Sequence, residues 1–297
     1  MITLKNLDFS YKKTTVFKNI SLEFKEGNVY GLLGENGVGK TTLLKLICGL
    51  QFPNAGICKV DGFIPQERDP YFLQNIFYLP EEVITENTTP ENFINKLGVF
   101  YPRYDYSYFL NLMKELEVDH TKKFDAMSYG QKKKSLLACA LSLRTDYLLL
   151  DEPTNGLDIP SKALFRKVIL QHSIDVNNST DAINRVNSTD AINCVPTIII
   201  STHQVKDVEN LIDPIVILDH DEVLLNATFE EISSKLYFDY GSEKSDDALY
   251  TEMIPGGYIN VLPNKFEMES KVNVEALFNA VRNNKKIIRE IFAMSCE

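Results

Sequence analysis

One glycine-rich stretch constrains the fold of this 297-residue chain more than any other feature. It matches the pattern G-x-x-x-x-G-K-[ST] of a phosphate-binding loop. Its residues are Gly34, Glu35, Asn36, Gly37, Val38, Gly39, Lys40, Thr41 and Thr42. An apolar run at 29–33 precedes it, and a helical pattern with Leu43, Leu44, Ile47 and Leu50 on one face follows it. Because a phosphate-binding loop needs a strand before it and a helix after it, the sequence predicts an α/β nucleotide-binding core.

The residue types of this loop suit a chain of phosphates. Glycine permits left-handed dihedrals at positions 34, 37 and 39, and it lets backbone N–H groups approach an anion closely. A helix that begins near Lys40 points the positive end of its dipole at the same anion. The pattern assigns Lys40 to the β- and γ-phosphates and the Thr41 hydroxyl to Mg²⁺. The alternative is a glycine-rich turn that only caps an ordinary helix.

The overall composition is that of a globular protein, with 44% hydrophobic and 24% charged residues. Its net charge of −10 argues against a nucleic-acid partner, since such partners require clustered positive charge. The main basic cluster, Lys132–Lys134, is typical of a solvated helix face. The five cysteines have no paired spacing, which indicates a reducing compartment without disulfides or a zinc motif.

The chain carries no sign of membrane targeting. Its first residues lack a cationic segment followed by an apolar one, and no apolar run approaches 18 residues. We therefore expect a cytoplasmic protein that reaches a membrane only through a partner.

Two continuous apolar runs, at 147–150 and 197–200, predict parallel strands that are buried on both faces. Asp151 and Glu152 follow the first run, and His203 follows the second. Strands that alternate with helices indicate an α/β sheet, whose ligand site lies at the carboxyl ends of its strands. We therefore expect these three side chains to lie near the phosphate loop.

The N-terminal part reads as half-buried strands at 2–9 and 16–24. Tyr11 lies just upstream of the phosphate loop in sequence. An exposed aromatic ring in this position can stack on a nucleotide base. The equal alternative is an ordinary tyrosine at the end of a strand, and the sequence leaves both open.

Residues 89–126 form a helical and aromatic segment. Asp105 is an expected N-cap. One helix face carries Phe109, Leu112, Met113 and Leu116. Further aromatic residues lie nearby: Phe93, Phe100, Tyr101, Tyr104, Tyr106 and Tyr108. Most of them are expected in the core, and the alternative is a docking surface for a partner. Ser128 is expected to cap the next helix.

The remaining sequence predicts an insertion and an accessory domain. Residues 178–186 and 187–195 form a nine-residue tandem repeat, which we interpret as a polar surface insertion at about 174–195. The sequence pattern changes again over residues 236–297. It predicts a hairpin at 254–258 and one or two helices at 274–292. We therefore divide the chain into a domain at 1–235 and a small accessory domain at 236–297.

Five motifs in order resemble the ATP-binding subunit of ATP-binding cassette (ABC) transporters. They are GENGVGKT at 34–41, MSYGQ at 127–131 in place of the usual LSGGQ, YLLLDEP at 147–153, NGLD at 155–158 and STHQ at 201–204. The resemblance covers residues 1 to about 235. It implies a P-loop NTPase core with an N-terminal antiparallel β subdomain, a helical signature subdomain at about 84–146 and a small C-terminal α+β extension.

The same resemblance implies ATP and Mg²⁺ as ligands and gives roles to individual residues. Glu152, His203 and Lys40 are expected to be catalytic, and Thr41 and Asp151 to hold the metal. The signature residues are expected to contact ATP bound by a second cassette: Ser128, Tyr129, Gly130 and Gln131. Asp158 occupies the D-loop position.

Two departures from the family pattern stand out. Tyr129 replaces the first signature glycine, which costs free energy if that position needs a positive φ. Glu81 occupies the position of the Q-loop glutamine, where the cassette meets its membrane partner. A carboxylate at that position is still able to bind Mg²⁺ or water.

We therefore expect an ATPase subunit at the cytoplasmic face of the membrane that powers a separate permease, with export favoured by resemblance to ABC-2-type exporters. Its expected partners are that permease and a second cassette, which is either a copy or a different chain. The alternatives are a soluble cassette ATPase without a transport role, an ATP sensor with little hydrolysis, and a P-loop kinase. The last of these predicts neither the 127–131 motif nor a dimer.

Overall fold

A computed structural model describes residues 1–82, 85, 87–178 and 195–293 of the chain. The tandem repeat predicted as a surface insertion lies almost entirely outside these residues. Within them, no helix has both the length and the apolar character needed to cross a membrane.

A central, mostly parallel sheet carries the fold, with six strands in the described chain in the order β5-β6-β7-β3-β8-β9. The strands are β3 (Val29–Leu33), β5 (Ile76–Leu79), β6 (Tyr147–Asp151), β7 (Thr197–Thr202), β8 (Ile215–Asp219) and β9 (Glu222–Ala227). Only β9 runs antiparallel, as the second strand of a hairpin with β8. Every residue of β6 and β7 is buried, which confirms the prediction from the two apolar runs.

An antiparallel sheet from the N-terminal part packs beside this core. Its strands are β1 (Ile2–Tyr11), β2 (Thr14–Phe24) and β4 (Ala55–Val60), in the order β2-β1-β4. Its inward residues Leu4 and Phe24 are fully buried in one apolar cluster with Leu43 and Leu149. The cluster joins the small sheet to the helix after the phosphate loop and to the central sheet.

The helices lie around both sheets. Those before residue 195 are α1 (Lys40–Ile47), α2 (Pro70–Gln74), α3 (Pro90–Gly98), α4 (Tyr106–Glu115), α5 (Tyr129–Ser142) and α6 (Ile159–Asn178). Asp105 caps α4 through the N–H of Tyr108 at 2.8 Å, as predicted. The predicted apolar face of α4 is also confirmed, because Phe109 and Met113 are buried.

The prediction that Leu50 shares the buried face of α1 is wrong. The helix ends at Ile47, and Gly49 adopts a left-handed φ of 71° that turns the chain away. Leu50 therefore leaves the helix face and is 51% exposed. Cys48 and Cys139 are both buried as free cysteines.

The C-terminal part forms a second antiparallel sheet with three helices. Its elements are α7 (Phe229–Lys235), β10 (Leu236–Gly241), β11 (Tyr250–Ile254), β12 (Gly257–Pro263), α8 (Val274–Asn283) and α9 (Lys285–Ala293), with strand order β10-β12-β11. Thr228 and Glu231 form a capping box at the start of α7. The predicted hairpin and helices are present. Phe238 and Leu277 belong to the same apolar cluster as Ile200 of the central sheet, and the domain division at 235/236 stays a prediction.

A buried histidine makes the stability of this fold dependent on pH. His172 on α6 is 2% exposed; its ring stacks on Tyr108, and its Nδ1 lies 3.1 Å from the Tyr108 hydroxyl. Burial, with a smaller contribution from the nearby Arg144 guanidinium, lowers the pKa of His172 to about 3. An unfolded chain binds a proton at this residue near pH 6.5, so its contribution to stability is complete above that pH and is lost as the pH falls towards 3.

We expect the free energy of unfolding to fall faster with acid in the wild type than in His172→Gln. The histidine contributes a slope of about 1.4 kcal/mol per pH unit below roughly pH 6, and the neutral glutamine removes it. Urea unfolding of both proteins between pH 7 and pH 5 measures the difference, and carboxylates common to both cancel. An equal decrease in the free energy of unfolding of both proteins over this pH range would contradict a neutral, buried His172.

Candidate nucleotide-binding site

The phosphate loop connects the end of β3 to the start of α1, as predicted. Gly37 and Gly39 adopt left-handed φ angles of 87° and 105°, whereas Gly34 does not; a Cβ atom at Gly34 would instead lie 2.7 Å from Val38. A Cβ atom at Gly39 would lie 2.7 Å from the Phe17 ring and 2.8 Å from Val16. Position 39 therefore requires glycine both for its backbone angle and for the space beside the N-terminal sheet.

Lys40 places a buried ammonium inside this loop. The side chain is 6% exposed, and its Nζ donates to the carbonyl oxygens of Gly34 at 2.8 Å and Glu35 at 3.1 Å. The same Nζ lies 3.4 Å from Oε1 of Glu152. The loop thus holds a cation at its centre, where it is able to attract a phosphate chain.

Asp151, at the carboxyl end of β6, gathers oxygen atoms from three other elements. Its Oδ2 accepts hydrogen bonds from the Thr41 hydroxyl at 2.7 Å and the Tyr78 hydroxyl at 3.0 Å. Its Oδ1 accepts one from the Ser201 hydroxyl at 2.5 Å. Burial and the neighbouring Asp151 carboxylate raise the pKa of Tyr78, so its hydroxyl remains a donor.

These oxygen atoms fit Mg²⁺, which prefers oxygen ligands and is commonly bound through one or two protein groups plus water and phosphate oxygens. Thr41 and Asp151 are adjacent and face the loop that is expected to hold the phosphates. In the described parts of the chain, no set of three or more histidine, cysteine or acidic side chains is arranged to hold a metal. The Thr41 and Asp151 oxygens are therefore the ligands that this site offers to a metal beside the phosphate loop.

Glu152 and His203 are in contact, as the strand-end argument predicts. The Glu152 carboxylate is 6% exposed, and its Oε1 lies 2.9 Å from Nδ1 of His203. Nε2 of His203 lies 3.3 Å from the side-chain nitrogen of Gln204. These contacts fit a His203 ring whose Nδ1–H donates to Glu152 while its Nε2 accepts from the Gln204 side chain.

Sequence reasoning did not identify Asn155 as a site residue. Its side-chain nitrogen donates to Oε1 of Glu81 at 2.6 Å, and both residues line the cleft beside the phosphate loop. The Q-loop position therefore carries a carboxylate that a neighbouring amide holds in place. Two sequence signals point to Asn155: it begins the NGLD motif, and it lies shortly after the strand-end acids.

The residues at the phosphate loop and at the strand ends converge on one cleft. Its lining includes Tyr11, Val16, Asn36, Gly37, Gly39, Lys40, Thr41, Thr42, Glu81, Glu152, Asn155 and His203. Tyr11 is 42% exposed; its ring packs edge-on against Phe9, and its hydroxyl lies 3.5 Å from that of Thr42. Stacking of Tyr11 on a base stays a prediction.

The signature residues lie elsewhere. Ser128 caps α5 in a capping box, accepting from the N–H of Gln131 at 3.2 Å, while the Ser128 N–H donates to the Gln131 side chain at 3.1 Å. Among the described residues that line the cleft, none belongs to 128–131. Asp158, in the D-loop position, caps α6 through the N–H of Ser161 at 2.9 Å and is likewise absent from that lining.

The strain anticipated at Tyr129 does not arise in this structure. Tyr129 is the first residue of α5, and its φ is not positive. Its ring is half exposed and lies against Gly156, where an added Cβ would come within 2.6 Å of the ring. Tyrosine is therefore compatible with the backbone at this signature position.

A glycine-rich loop around a buried lysine, with a Thr–Asp pair and a Glu–His pair at parallel strand ends, defines a P-loop nucleoside triphosphatase. A family model described as "ABC transporter" matches residues 17–155. The ABC transporter ATP-binding protein NatA of Bacillus subtilis is 30% identical over 85% of this chain and 97% of its own length. YtrB, another ABC transporter ATP-binding protein of the same organism, is 28% identical over 96% of this chain and 99% of its own length.

The chain therefore belongs to the ABC transporter family and is an ATP-binding ATPase of that family. Solved structures share its fold. The ATP-binding subunit of an ABC transporter superposes with a TM-score of 0.65 at 22% identity, covering 78% of this chain and 91% of that one. A dimeric, post-hydrolysis form of the ATP-binding cassette MJ0796, bound to ADP and Pi, superposes with a TM-score of 0.63 at 21% identity. The match covers 77% of this chain and 98% of that one.

Proposed function

We propose that the chain binds ATP with Mg²⁺, hydrolyses it in a dimer of two cassettes, and thereby powers a separate membrane permease. The observation that carries this proposal is the convergence of the buried Lys40 ammonium, the Thr41–Asp151 pair and the Glu152–His203 pair on one cleft. Each pair supplies one requirement of phosphoryl transfer, which depends mainly on positioning and charge stabilisation.

Lys40 and Glu152 change partners in this mechanism. Lys40 bonds to loop carbonyls and lies beside Glu152. When ATP enters, the Lys40 ammonium binds the β- and γ-phosphates and releases the Glu152 carboxylate. Glu152 then accepts a proton from the attacking water, and His203 holds Glu152 through its Nδ1–H. The products are ADP and phosphate.

Thr41 and Asp151 would hold Mg²⁺ in the same complex. A bound Mg²⁺ neutralises charge that develops on the phosphate oxygens. The Tyr78 and Ser201 hydroxyls orient the Asp151 carboxylate. The Thr41 hydroxyl would offer an oxygen lone pair to the cation while its proton stays directed at Asp151.

The second half of the site is proposed to come from another copy of this chain. Ser128 and the first N–H groups of α5 are placed to bind an anion, and the helix dipole favours one. They do not line the cleft of their own chain. Two copies packed head to tail would bring each α5 to the γ-phosphate in the partner's cleft, with Asp158 near the junction.

An apolar groove on the opposite side of Tyr78 is proposed to receive a short helix of the permease. It is lined by Leu50, Pro70, Leu73, Phe77, Leu97, Val99, Phe100 and Tyr101 among others. Val99 is 78% exposed and Phe100 is 68% exposed. Tyr78 also lines this groove, and its hydroxyl binds Asp151, so an occupant would lie one side chain away from the metal ligands.

We expect the double substitution Val99→Asp with Phe100→Asp to reduce co-purification of this chain with its permease by about tenfold or more, because two carboxylates would be desolvated against an apolar helix. The probe is a hydrophobic membrane protein, to be sought among the products of the genes that flank this one. ATP hydrolysis by the isolated chain should be unchanged.

Met253→Asp is the matched control for this experiment, since Met253 is 75% exposed on β11, outside the groove. It should leave capture of the permease intact. Equal capture of the groove variant and the control would rule out this groove as the docking site. Failure of the permease to raise ATP hydrolysis by the wild type would contradict the transport role.

Two finer assignments complete the proposal. We assign the chain to an exporter and place it at the cytoplasmic face of the membrane. This assignment depends on the resemblance of the Tyr78-Leu79-Pro80 strand end and the C-terminal extension to exporter cassettes.

We assign residues 236–297 to an accessory domain attached at the nucleotide edge. Arg282 forms an ion pair with Glu35 of the phosphate loop, and Lys285 lies 2.6 Å from Asp219 at the end of β8, which supports that attachment.

A further inference from the structure

Lys133 joins the signature helix to the turn that carries Glu152. It lies one turn after Tyr129 on α5, and its Nζ is 5.3 Å from the centre of the Tyr129 ring. The ammonium donates to the carbonyl oxygens of Glu152 and Asn155, at 2.9 Å in both cases. These are charge-assisted hydrogen bonds, which are stronger than bonds between neutral groups.

The turn held in this way is strained at the residue proposed to activate water. Glu152 has a φ of 45°, a left-handed conformation that is unfavourable for a non-glycine residue. Its N–H donates to the backbone oxygen of Ser201 at 3.1 Å. Its carbonyl receives the Asn155 N–H at 3.2 Å as well as the Lys133 ammonium. Such a conformation persists only where several contacts determine it.

Tyr129 supports the same connection from the other end of the turn. Its ring fills the space above Gly156, which has a left-handed φ of 74°. Because Tyr129 and Lys133 are four residues apart, they lie on one face of α5 and cover 152–156 together. The side chains of Glu152 and Asn155, both in this turn, reach the cleft. There Glu152 contacts His203, and Asn155 contacts Glu81.

We propose that Lys133 is a positioning residue for ATP hydrolysis, whose ammonium holds the carbonyls of Glu152 and Asn155 and thereby fixes the Glu152 carboxylate relative to the signature helix. This inference rests on the proposed role of Glu152. A movement of α5 is then transmitted directly to Glu152 of the same chain. Lys133 touches neither nucleotide nor water in this arrangement.

Lys133→Met removes the donors and keeps the length of the side chain. We expect kcat for ATP hydrolysis to fall by about tenfold to a hundredfold, as small displacements of catalytic groups do. KM and the Kd for ATP should stay within about twofold, because Lys133 does not touch the phosphate loop. Lys133→Arg keeps the donors and should recover kcat to within about threefold of the wild type.

Lys132→Met is the matched control. Lys132 is the preceding residue of the same helix, and its side chain makes no hydrogen bond or ion pair with the described residues. It should leave kcat unchanged. Lys133→Gln is a second variant, with a shorter donor. Its kcat should lie between those of Lys133→Met and Lys133→Arg. If Lys133→Met does not fold, a lower kcat for Lys133→Gln than for Lys133→Arg is the expected result.

Hydrogen exchange tests the connection without hydrolysis. In Lys133→Met, the N–H groups of Asn155 and Leu157, which close the turn onto Glu152 and Thr154, should exchange about tenfold faster, while those of the phosphate loop stay unchanged. Wild-type kcat together with wild-type exchange in Lys133→Met would overturn the inference. If exchange rises but Glu152→Gln still hydrolyses ATP, the connection stands and the role of Glu152 is wrong.

Discussion

Replacing Glu152 by glutamine is expected to lower kcat for ATP hydrolysis by at least about a hundredfold, the usual contribution of a positioned general base. Glutamine keeps the size of the side chain, and its oxygen is still able to accept the hydrogen bond from Nδ1 of His203. It is unable to take a proton from water. Steady-state phosphate release by the purified variant measures the effect.

The same substitution should preserve ATP binding or tighten it. The wild-type carboxylate lies 3.4 Å from the Lys40 ammonium, so it competes with the phosphates for that cation and repels them. The Kd of a fluorescent ATP analogue checks this expectation. Glu230→Gln, on the exposed side of α7, is the matched control and should behave as the wild type. Retention of more than about a tenth of the wild-type kcat by Glu152→Gln would exclude Glu152 as the base.

The second large effect is expected from Ser128→Asp. Aspartate caps a helix as well as serine does, so α5 should begin at the same residue and the melting temperature should change little. Its carboxylate, however, would face the γ-phosphate of the partner's ATP across the dimer. We expect hydrolysis to fall by about a hundredfold, because a like charge at the anion-binding end of a helix disfavours the closed dimer.

Ser128→Ala separates capping from charge. It loses the cap, which costs about 1 kcal/mol of stability, but introduces no repulsion and should keep more activity than Ser128→Asp. In both variants the isolated chain should bind ATP with the wild-type Kd, because Ser128 does not line its own cleft. Loss of ATP binding by monomeric Ser128→Asp would show that the signature completes the site within one chain.

Much of this site could be predicted from contiguous sequence. The phosphate loop is a local pattern in which Gly39 and Lys40 are specified by backbone angle and charge. The acids Asp151 and Glu152 follow a strand whose uninterrupted apolar run identifies it as buried. Because parallel strands end at one edge of their sheet, the sequence was sufficient to bring these groups together with His203.

The hydroxyls around Asp151 could not be predicted in the same way. Ser201 and Tyr78 reach Asp151 because β7 and β5 are the two neighbours of β6, and the order of strands in a sheet is not a local property. The same holds for Lys133, which one would assign to a solvated basic run. Its partners are backbone carbonyls, which carry no residue-specific signal.

The wrong prediction of burial for Leu50 and the strain expected at Tyr129 have the same physical origin, because both depend on backbone dihedral angles. The left-handed Gly49 ends α1 before the helical pattern does, so Leu50 becomes exposed. The cost expected at Tyr129 depended on a positive φ that the first residue of a capped helix does not adopt. At the C-terminus, the Arg282–Glu35 ion pair joins residues 247 positions apart, beyond the reach of any local pattern.

In the proposed dimer this chain supplies half of each of two ATP sites, and a second copy supplies the rest. The most direct test of this claim is the mass of Glu152→Gln in solution, measured by light scattering with ATP and Mg²⁺, together with the amount of ATP bound. The predicted result is a dimer that holds two ATP molecules and that dissociates when Ser128→Asp is added to the same chain. A species that binds one ATP and stays monomeric at all protein concentrations would contradict the claim.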